Sequence, residues 1–186
     1  MVNKYKPELT NLQQGILRFL FSRPESSFNM IRLSQFLEVS QPAIKKAIPF
    51  LEKKNLIKLS RDKESKRYSI ILNRDNSEVI YLKRANNLEK IYLSKLPSFL
   101  YNFFPGTNII LFGSYSRGED SENSDIDIAI VGMSEKEVNI LEFQKYLEKN
   151  ISLHFYKSFK DIKDENLKNN ILNGIILSGS VKLWVF

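Results

Sequence analysis

Cysteine is absent from the 186 residues, and histidine occurs once, at His154. Without thiols there is no disulfide scaffold, zinc ribbon or cysteine nucleophile. One imidazole excludes a multi-histidine zinc centre and makes any serine triad depend on His154. Long apolar runs are also missing, since no stretch approaches the roughly eighteen residues of a membrane span. The opening MVNKYKPELT is polar and no apolar segment follows it, so it does not read as a signal peptide. These absences predict a cytoplasmic protein with no membrane partner. Internal repeats, low-complexity tracts and lipidation signals are lacking too. The chain is 42% apolar and 12% aromatic, which excludes wholesale disorder and provides for a packed core.

The net charge of +7 is placed unevenly. Residues 1–75 hold 15 Lys and Arg against 7 Asp and Glu, whereas residues 105–186 hold 9 against 12. A basic first part and an acidic last part predict two modules, one suited to nucleic acid and one able to hold a cation. Lysines that only solvate a surface would produce the same imbalance.

In residues 1–75, Leu12, Ile16, Leu17, Leu20 and Phe21 fall at helical spacing, and Pro24, Ser26 and Ser27 punctuate the end. A short helix follows through Ile31, Leu33, Phe36 and Leu37, then Glu38-Val39-Ser40, then a helix carrying Ile44, Ile48, Phe50 and Leu51. Ser40 is placed as its N-cap with Pro42 in the first turn, and Pro49 predicts a late kink. Leu56–Leu59 and Arg67–Leu72 read as the strands of a hairpin whose tip region bears Arg61, Lys63, Lys66 and Arg67.

Residues 8–73, three helices and a basic hairpin, resemble the winged helix-turn-helix family of transcriptional regulators. The resemblance implies that the helix after Ser40 enters a major groove, with Ser40, Gln41, Lys45 and Lys46 near base edges or phosphates. It also implies that Arg61, Lys63, Lys66 and Arg67 contact backbone phosphates, and that a homodimer meets two half-sites. A winged helix used only for protein contacts is the other reading of this pattern.

Residues 76–104 read as a helical connector. Leu82, Ala85, Leu88, Tyr92, Leu96 and Phe99 recur every three or four residues, and Pro97 should end or kink the helix. Phe99, Tyr101, Phe103 and Phe104 lack interleaved cations and read as packing between modules or across a dimer.

The chemistry concentrates in residues 105–186. Asn108–Phe112 reads as a buried strand running into Gly113-Ser114-Tyr115-Ser116-Arg117-Gly118, and after an acidic loop comes Ser124-Asp125-Ile126-Asp127-Ile128-Ala129-Ile130-Val131. Gly113 leaves room for a phosphate at the backbone. Ser114 is placed to cap the helix that begins there and to donate to the same phosphate, with free N–H groups and Arg117 adding positive potential. Asp125 and Asp127, two apart on a strand, project from one face. A pair of carboxylates completed by water and phosphate oxygens suits Mg2+ (or Mn2+). Further helices are predicted over 137–149 and 161–172, with strands over 151–156 and 174–177 between and after them.

The order and spacing of Gly113-Ser114, Arg117-Gly118 and Asp125-Ile126-Asp127 resemble the DNA polymerase beta-type nucleotidyltransferase superfamily, and within it the small minimal nucleotidyltransferases of prokaryotes. The resemblance implies an NTP substrate (ATP among the candidates), Gly113, Ser114 and Arg117 at its phosphates, and Asp125 and Asp127 as catalytic metal ligands. It further implies a third carboxylate on the strand 151–156, but that strand reads Ile151-Ser152-Leu153-His154-Phe155-Tyr156 and has none. His154 can be read as a base, as part of a metal's coordination, or as a hydrogen-bonded structural residue. Asp161 and Asp164 read as helix-start residues. Members of the family also pair with small helical partner proteins as the neutralising half of toxin–antitoxin systems.

The expected architecture is therefore α+β (mixed αβ): a winged helix-turn-helix over 1–75, the connector, and a nucleotidyltransferase-like αβ domain with a small mixed sheet over 105–186. The expected function is transfer of a nucleoside monophosphate from an NTP to an acceptor hydroxyl, coupled to DNA binding. The alternative is a winged-helix regulator or antitoxin-type protein whose second domain binds nucleotide but transfers little or nothing.

Overall fold

A computed structural model describes residues 8–61 and 68–181. The chain divides into two compact units, 1–80 and 81–186. Together they form a mixed α/β architecture with eight α-helices and two sheets among the described residues.

The first unit opens with α1 (Asn11–Ser22), held by a capping box in which Thr10 and Gln13 each accept from the other's backbone N–H. Asn29 caps α2 (Met30–Phe36), and Ser40 caps α3 (Gln41–Lys53) by accepting from the Ala43 N–H. The helix runs through Pro49 to Lys53. The partner that Pro49 leaves unbonded is the carbonyl of the exposed Lys45, which water can satisfy, so the helix continues past the proline. Between α2 and α3, Glu38 takes a left-handed conformation with φ of 53° while the Val39 N–H closes onto the Ser34 carbonyl at 3.0 Å.

Strands β1 (Ile57–Arg61) and β2 (Tyr68–Leu72) pair antiparallel, and Phe28 adds a bridge to Ile70. Ile16, Leu20, Leu33, Ile44, Ile48, Leu51, Ile57 and Ile70 form the buried interior. Three helices and a hairpin give the winged-helix arrangement expected of the sequence. Lys63, Lys66 and Arg67 lie outside the described residues, as do the side chain of Arg61 and the tail 182–186.

Helix α4 (Ser77–Leu93) spans the boundary between the units. Its buried face within the second unit is not the expected apolar stripe. Lys83, Asn86, Asn87 and Ile91 are buried, whereas Ala85 and Tyr92 are exposed. Pro97 also acts differently from expectation. The chain turns at Lys95, whose φ is 63°, and Pro97 occupies the first turn of α5 (Leu96–Phe103), where its missing N–H is not needed. Leu96, Leu100 and Phe104 are buried in the second unit's own core, with Phe99 and Phe103 packed against them, while Tyr101 is exposed.

That core is built on a four-stranded mixed sheet of order β5-β4-β3-β6, comprising β3 (Asn108–Phe112), β4 (Ile126–Val131), β5 (Ile151–Tyr156) and β6 (Ile175–Ser178). Strand β3 pairs antiparallel with β4 and β6, and β4 pairs parallel with β5. Alternation along the strands divides the residues between two faces. Ile109, Leu111, Ile126, Ile128 and Ile130 meet α4, α5 and α7 (Leu141–Leu147). Ile110, Phe112, Ala129 and Val131 meet Ile162 and Ile171, the latter on α8 (Glu165–Leu172).

Helix α7 is shorter than the expected 137–149 because the Asn139 side chain accepts from the Leu141 N–H, a local bond that competes with helix. Helix α8 begins at Asp164, which caps the Asn166 and Leu167 N–H groups, while Asp161 accepts from the Ser158 hydroxyl. No helix among the described residues is long and apolar enough to cross a membrane.

Gly174 joins α8 to β6 where the backbone passes close to β3. A Cβ there would lie 2.6 Å from the Leu111 carbonyl oxygen and 2.7 Å from Ile110 Cγ2. Gly174→Ala is therefore expected to cost the second unit about 1–3 kcal/mol through overpacking, read by calorimetry as a lowered melting temperature with intact secondary structure.

Candidate functional site

The site forms where β3 ends and β4 begins. Asp127 stands opposite Phe112 in the antiparallel pair, and the residue after Phe112 is Gly113, with φ of 75°. A Cβ at Gly113 would fall 2.5 Å from Asp127 Oδ2. Glycine is required there twice over, for its left-handed backbone and for the carboxylate packed against its α-carbon. Helix α6 (Gly113–Arg117) starts from this turn and ends at Gly118.

Its residues depart from expectation in two ways. The N-cap position is Phe112, which offers no side-chain bond, so Ser114 lies inside the helix instead of capping it. Ser114 is half-buried, and no bond from its hydroxyl is found among the described residues. Arg117 is nearly half exposed and is held by Glu119 Oε2 at 2.7 Å and by Asn170 Oδ1 of α8 at 2.9 Å. A phosphate would have to draw the guanidinium from those partners.

Asp125 precedes β4 by one residue, and the two acids face β5. The Ser152 hydroxyl donates to Asp125 Oδ2 at 3.1 Å, and His154 Nε2 lies 3.2 Å from Asp127 Oδ1. The His154 ring also meets the Phe112 ring edge-on at 5.2 Å. The face that lacks the third carboxylate thus supplies one hydrogen-bonding partner to each acid. Neither Asp125 nor Asp127 has a Lys or Arg ion-pair partner among the described residues. No group of three His, Cys, Asp or Glu able to hold a metal occurs there either. Two carboxylates without a Lys or Arg partner among the described residues, beside a glycine cradle, fit a magnesium ion that completes its shell with water and phosphate oxygens.

The support behind Asp125 was not visible in the sequence. Asp120, read there as part of an acidic loop, is buried and forms an ion pair with the buried Lys83 of α4. Lys83 Nζ also donates to the Asp120 carbonyl at 3.0 Å, and Asn87 Nδ2 donates to Asp120 Oδ1 at 2.7 Å and to the Tyr115 carbonyl at 3.0 Å. Lys149 Nζ lies 3.6 Å from Asp120 Oδ2. Burial, reinforced by the Asp120 charge, pushes the Tyr115 phenol far above its ordinary range and keeps it neutral. The available signal was the four-residue spacing of Lys83, Asn87 and Ile91, a polar stripe with an apolar end.

In the first unit, Ser40, Gln41, Lys45 and Lys46 are exposed on α3. The Ser40 oxygen serves as the helix cap, and its O–H remains to donate to another group.

Residues 93–178 match the family model described as a nucleotidyltransferase domain. No curated protein matches the chain. Among solved structures, the adhesin competence repressor AdcR of Streptococcus pyogenes is 21% identical, with 52% of this chain and 69% of that chain covered and a TM-score of 0.41. MepR, a transcription regulator of the Staphylococcus aureus multidrug efflux pump MepA, is 23% identical, with 48% and 67% covered and a TM-score of 0.38. A mutant of Lactococcus lactis ZitR is 21% identical, with 57% and 70% covered and a TM-score of 0.41. Likeness at this level identifies no shared activity.

Removing one partner of a buried ion pair leaves the other charge uncompensated. Asp120→Ala is expected to destabilise the second unit by about 3–5 kcal/mol, measured by denaturant titration. A loss within about 0.5 kcal/mol, typical of a surface change, would contradict the buried role of Asp120.

Proposed function

We propose that the second unit is a nucleotidyltransferase that uses magnesium or manganese to move a nucleoside monophosphate from an NTP to an acceptor hydroxyl, and that the first unit binds DNA. The observation that carries the first part is the Asp127 carboxylate seated against the Gly113 turn, within the segment that matches the nucleotidyltransferase domain. In this reading Asp125 and Asp127 hold the metal. When bound, that ion offsets phosphate charge and polarises the phosphoryl group under attack. Gly113 and Ser114 admit the phosphates to the backbone, and Arg117 reaches them by releasing Glu119 or Asn170. Ser152 and His154 orient the two carboxylates by donating to them, and with Nε2 spent on Asp127 it is Nδ1 of His154 that would accept the proton of the attacking hydroxyl. The acceptor oxygen bonds to the α-phosphorus as the α–β bridge breaks and pyrophosphate leaves.

A second reading is favoured by one observation: the strand facing the two acids carries Ser152 and His154 instead of an acid. In that reading the second unit holds nucleotide and metal without fast transfer, and the winged helix is the output of a regulator or antitoxin-type protein. ATP as the particular nucleotide belongs to either reading.

Transfer from α-labelled ATP, CTP, GTP and UTP, with magnesium or manganese and host lysate as the acceptor pool, separates the two. Wild type is expected to transfer label, and Asp127→Asn is expected to lower the rate at least about a hundredfold, the scale for losing one preorganised electrostatic group. Nucleotide binding without transfer by the wild type would reject the enzyme in favour of the sensor.

For the first unit, the Lys45→Ala and Lys46→Ala pair is expected to weaken binding to fragments of the upstream region of its own gene. The slope of log affinity against log salt should fall by about 1 for each phosphate no longer neutralised. Unchanged affinity and slope would refute a DNA-binding role for α3.

A further inference from the structure

Loop 119–125 carries Asp125 to the mouth of the sheet, and a side chain with no part in the phosphoryl chemistry holds that loop. Lys149 lies two residues beyond α7. Its Nζ donates to the carbonyls of Ser121 at 2.8 Å, Glu122 at 3.2 Å and Ser124 at 3.1 Å, and Asp120 Oδ2 stands 3.6 Å away. An ammonium has three protons, and three carbonyls take all of them. The side chain is only 10% exposed. It is therefore spent on the loop and has no donor left for a phosphate.

The third of those carbonyls is decisive. The Ser124 C=O belongs to the peptide plane that enters Asp125, so Lys149 fixes the backbone on the near side of that residue. The plane that leaves Asp125 is fixed by the next residue in the chain, because the Ile126 N–H donates to the Asn150 carbonyl at 2.9 Å. Two residues further on, Ser152 holds the Asp125 carboxylate itself. Three bonds from a four-residue stretch thus determine where the carboxylate stands. The loop adds bonds of its own, with the Ser121 N–H donating to Ser124 Oγ at 2.9 Å. None of these internal bonds ties the loop to the sheet.

We propose that Lys149 is a positioning residue for Asp125. Its ammonium gathers the 121–124 carbonyls so that the Asp125 carboxylate is presented together with Asp127 to a metal-bound nucleoside triphosphate. The proposal rests on the nucleotidyltransferase reading of the site. Without the ammonium the three carbonyls lose their shared donor, and the peptide plane entering Asp125 loses the bond from Lys149 that fixes it.

The test uses the full chain and two readouts. The first is affinity for Mn2+ with ATP, CTP, GTP and UTP in turn, followed by electron paramagnetic resonance well below the melting temperature. The second is hydrogen exchange of the loop amides. Lys149→Met is expected to lower Mn2+–nucleotide affinity about tenfold to a hundredfold, the usual scale for residues that orient metal ligands, and to speed exchange in the loop. Ile171→Ala, which weakens the core on the other face of the sheet, is expected to change neither. Lys149→Gln, which keeps one donor, is expected to fall between wild type and Lys149→Met, and it serves where Lys149→Met does not fold. Wild-type affinity in a folded Lys149 variant would overturn the proposal and leave the nucleotidyltransferase reading standing. A wild-type protein that binds Mn2+ with none of the four nucleotides would instead overturn that reading, and the proposal with it.

Discussion

The second unit is organised around a charge that cannot reach water. Asp120 is buried with Lys83 against it, the Asn87 amide on the same oxygen and Lys149 near the other. A buried ion pair is a poor source of net stability, because desolvation of both charges offsets most of their attraction. Its effect here is on geometry. An unpaired Asp120 or Lys83 in that interior would be prohibitively costly, so the chain after α6 must return to α4 at this one point. The loop leading to β4 then has a fixed origin.

A short relay runs from that fixed point to the end of the sheet. The helix N-terminus at Gly113 and the β4 carboxylate at Asp127 face each other because β3 and β4 pair with Phe112 opposite Asp127. The antiparallel register leaves the next residue, Gly113, beside the carboxylate, and only an absent side chain makes room for it. Parallel pairing of β5 with β4 then places Ser152 and His154 along the same edge. Apolar packing on both faces of the sheet holds these strands in register, since a one-residue slip would turn Ile126, Ile128 and Ile130 out of the core.

The edge that results has two acids, each with one hydrogen-bonding partner on β5. A third acid on β5 would add a negative charge and a ligand. Serine and histidine instead supply hydrogen bonds that orient the acids already present, without adding to their mutual repulsion. This arrangement asks less of a bound cation and offers it fewer ligands. It is compatible with a single magnesium or manganese ion that arrives with the phosphates of its nucleotide.

Much of this was legible in the chain. The capping residues Ser40 and Asp164, the strand from Asn108 to Phe112, the helix that begins after it and the absence of an acid on β5 all come from local chemistry or from patterns a few residues long. Where tertiary structure decided the outcome, the deciding partner was far away. Apolar periodicity assigned the buried face of α4 to Leu82, Ala85, Leu88 and Tyr92, but the helix turns Lys83 and Asn87 inward because Asp120 and the Tyr115 carbonyl, some thirty residues on, satisfy them. Pro97 begins a helix because Lys95 turns the chain before it, and Arg117 is engaged by Asn170 across the fold. Local sequence determines elements and caps because their hydrogen bonds close within a turn. Which polar side chain is buried, and which acid is held in place, depends on partners that only folding brings within 3 Å.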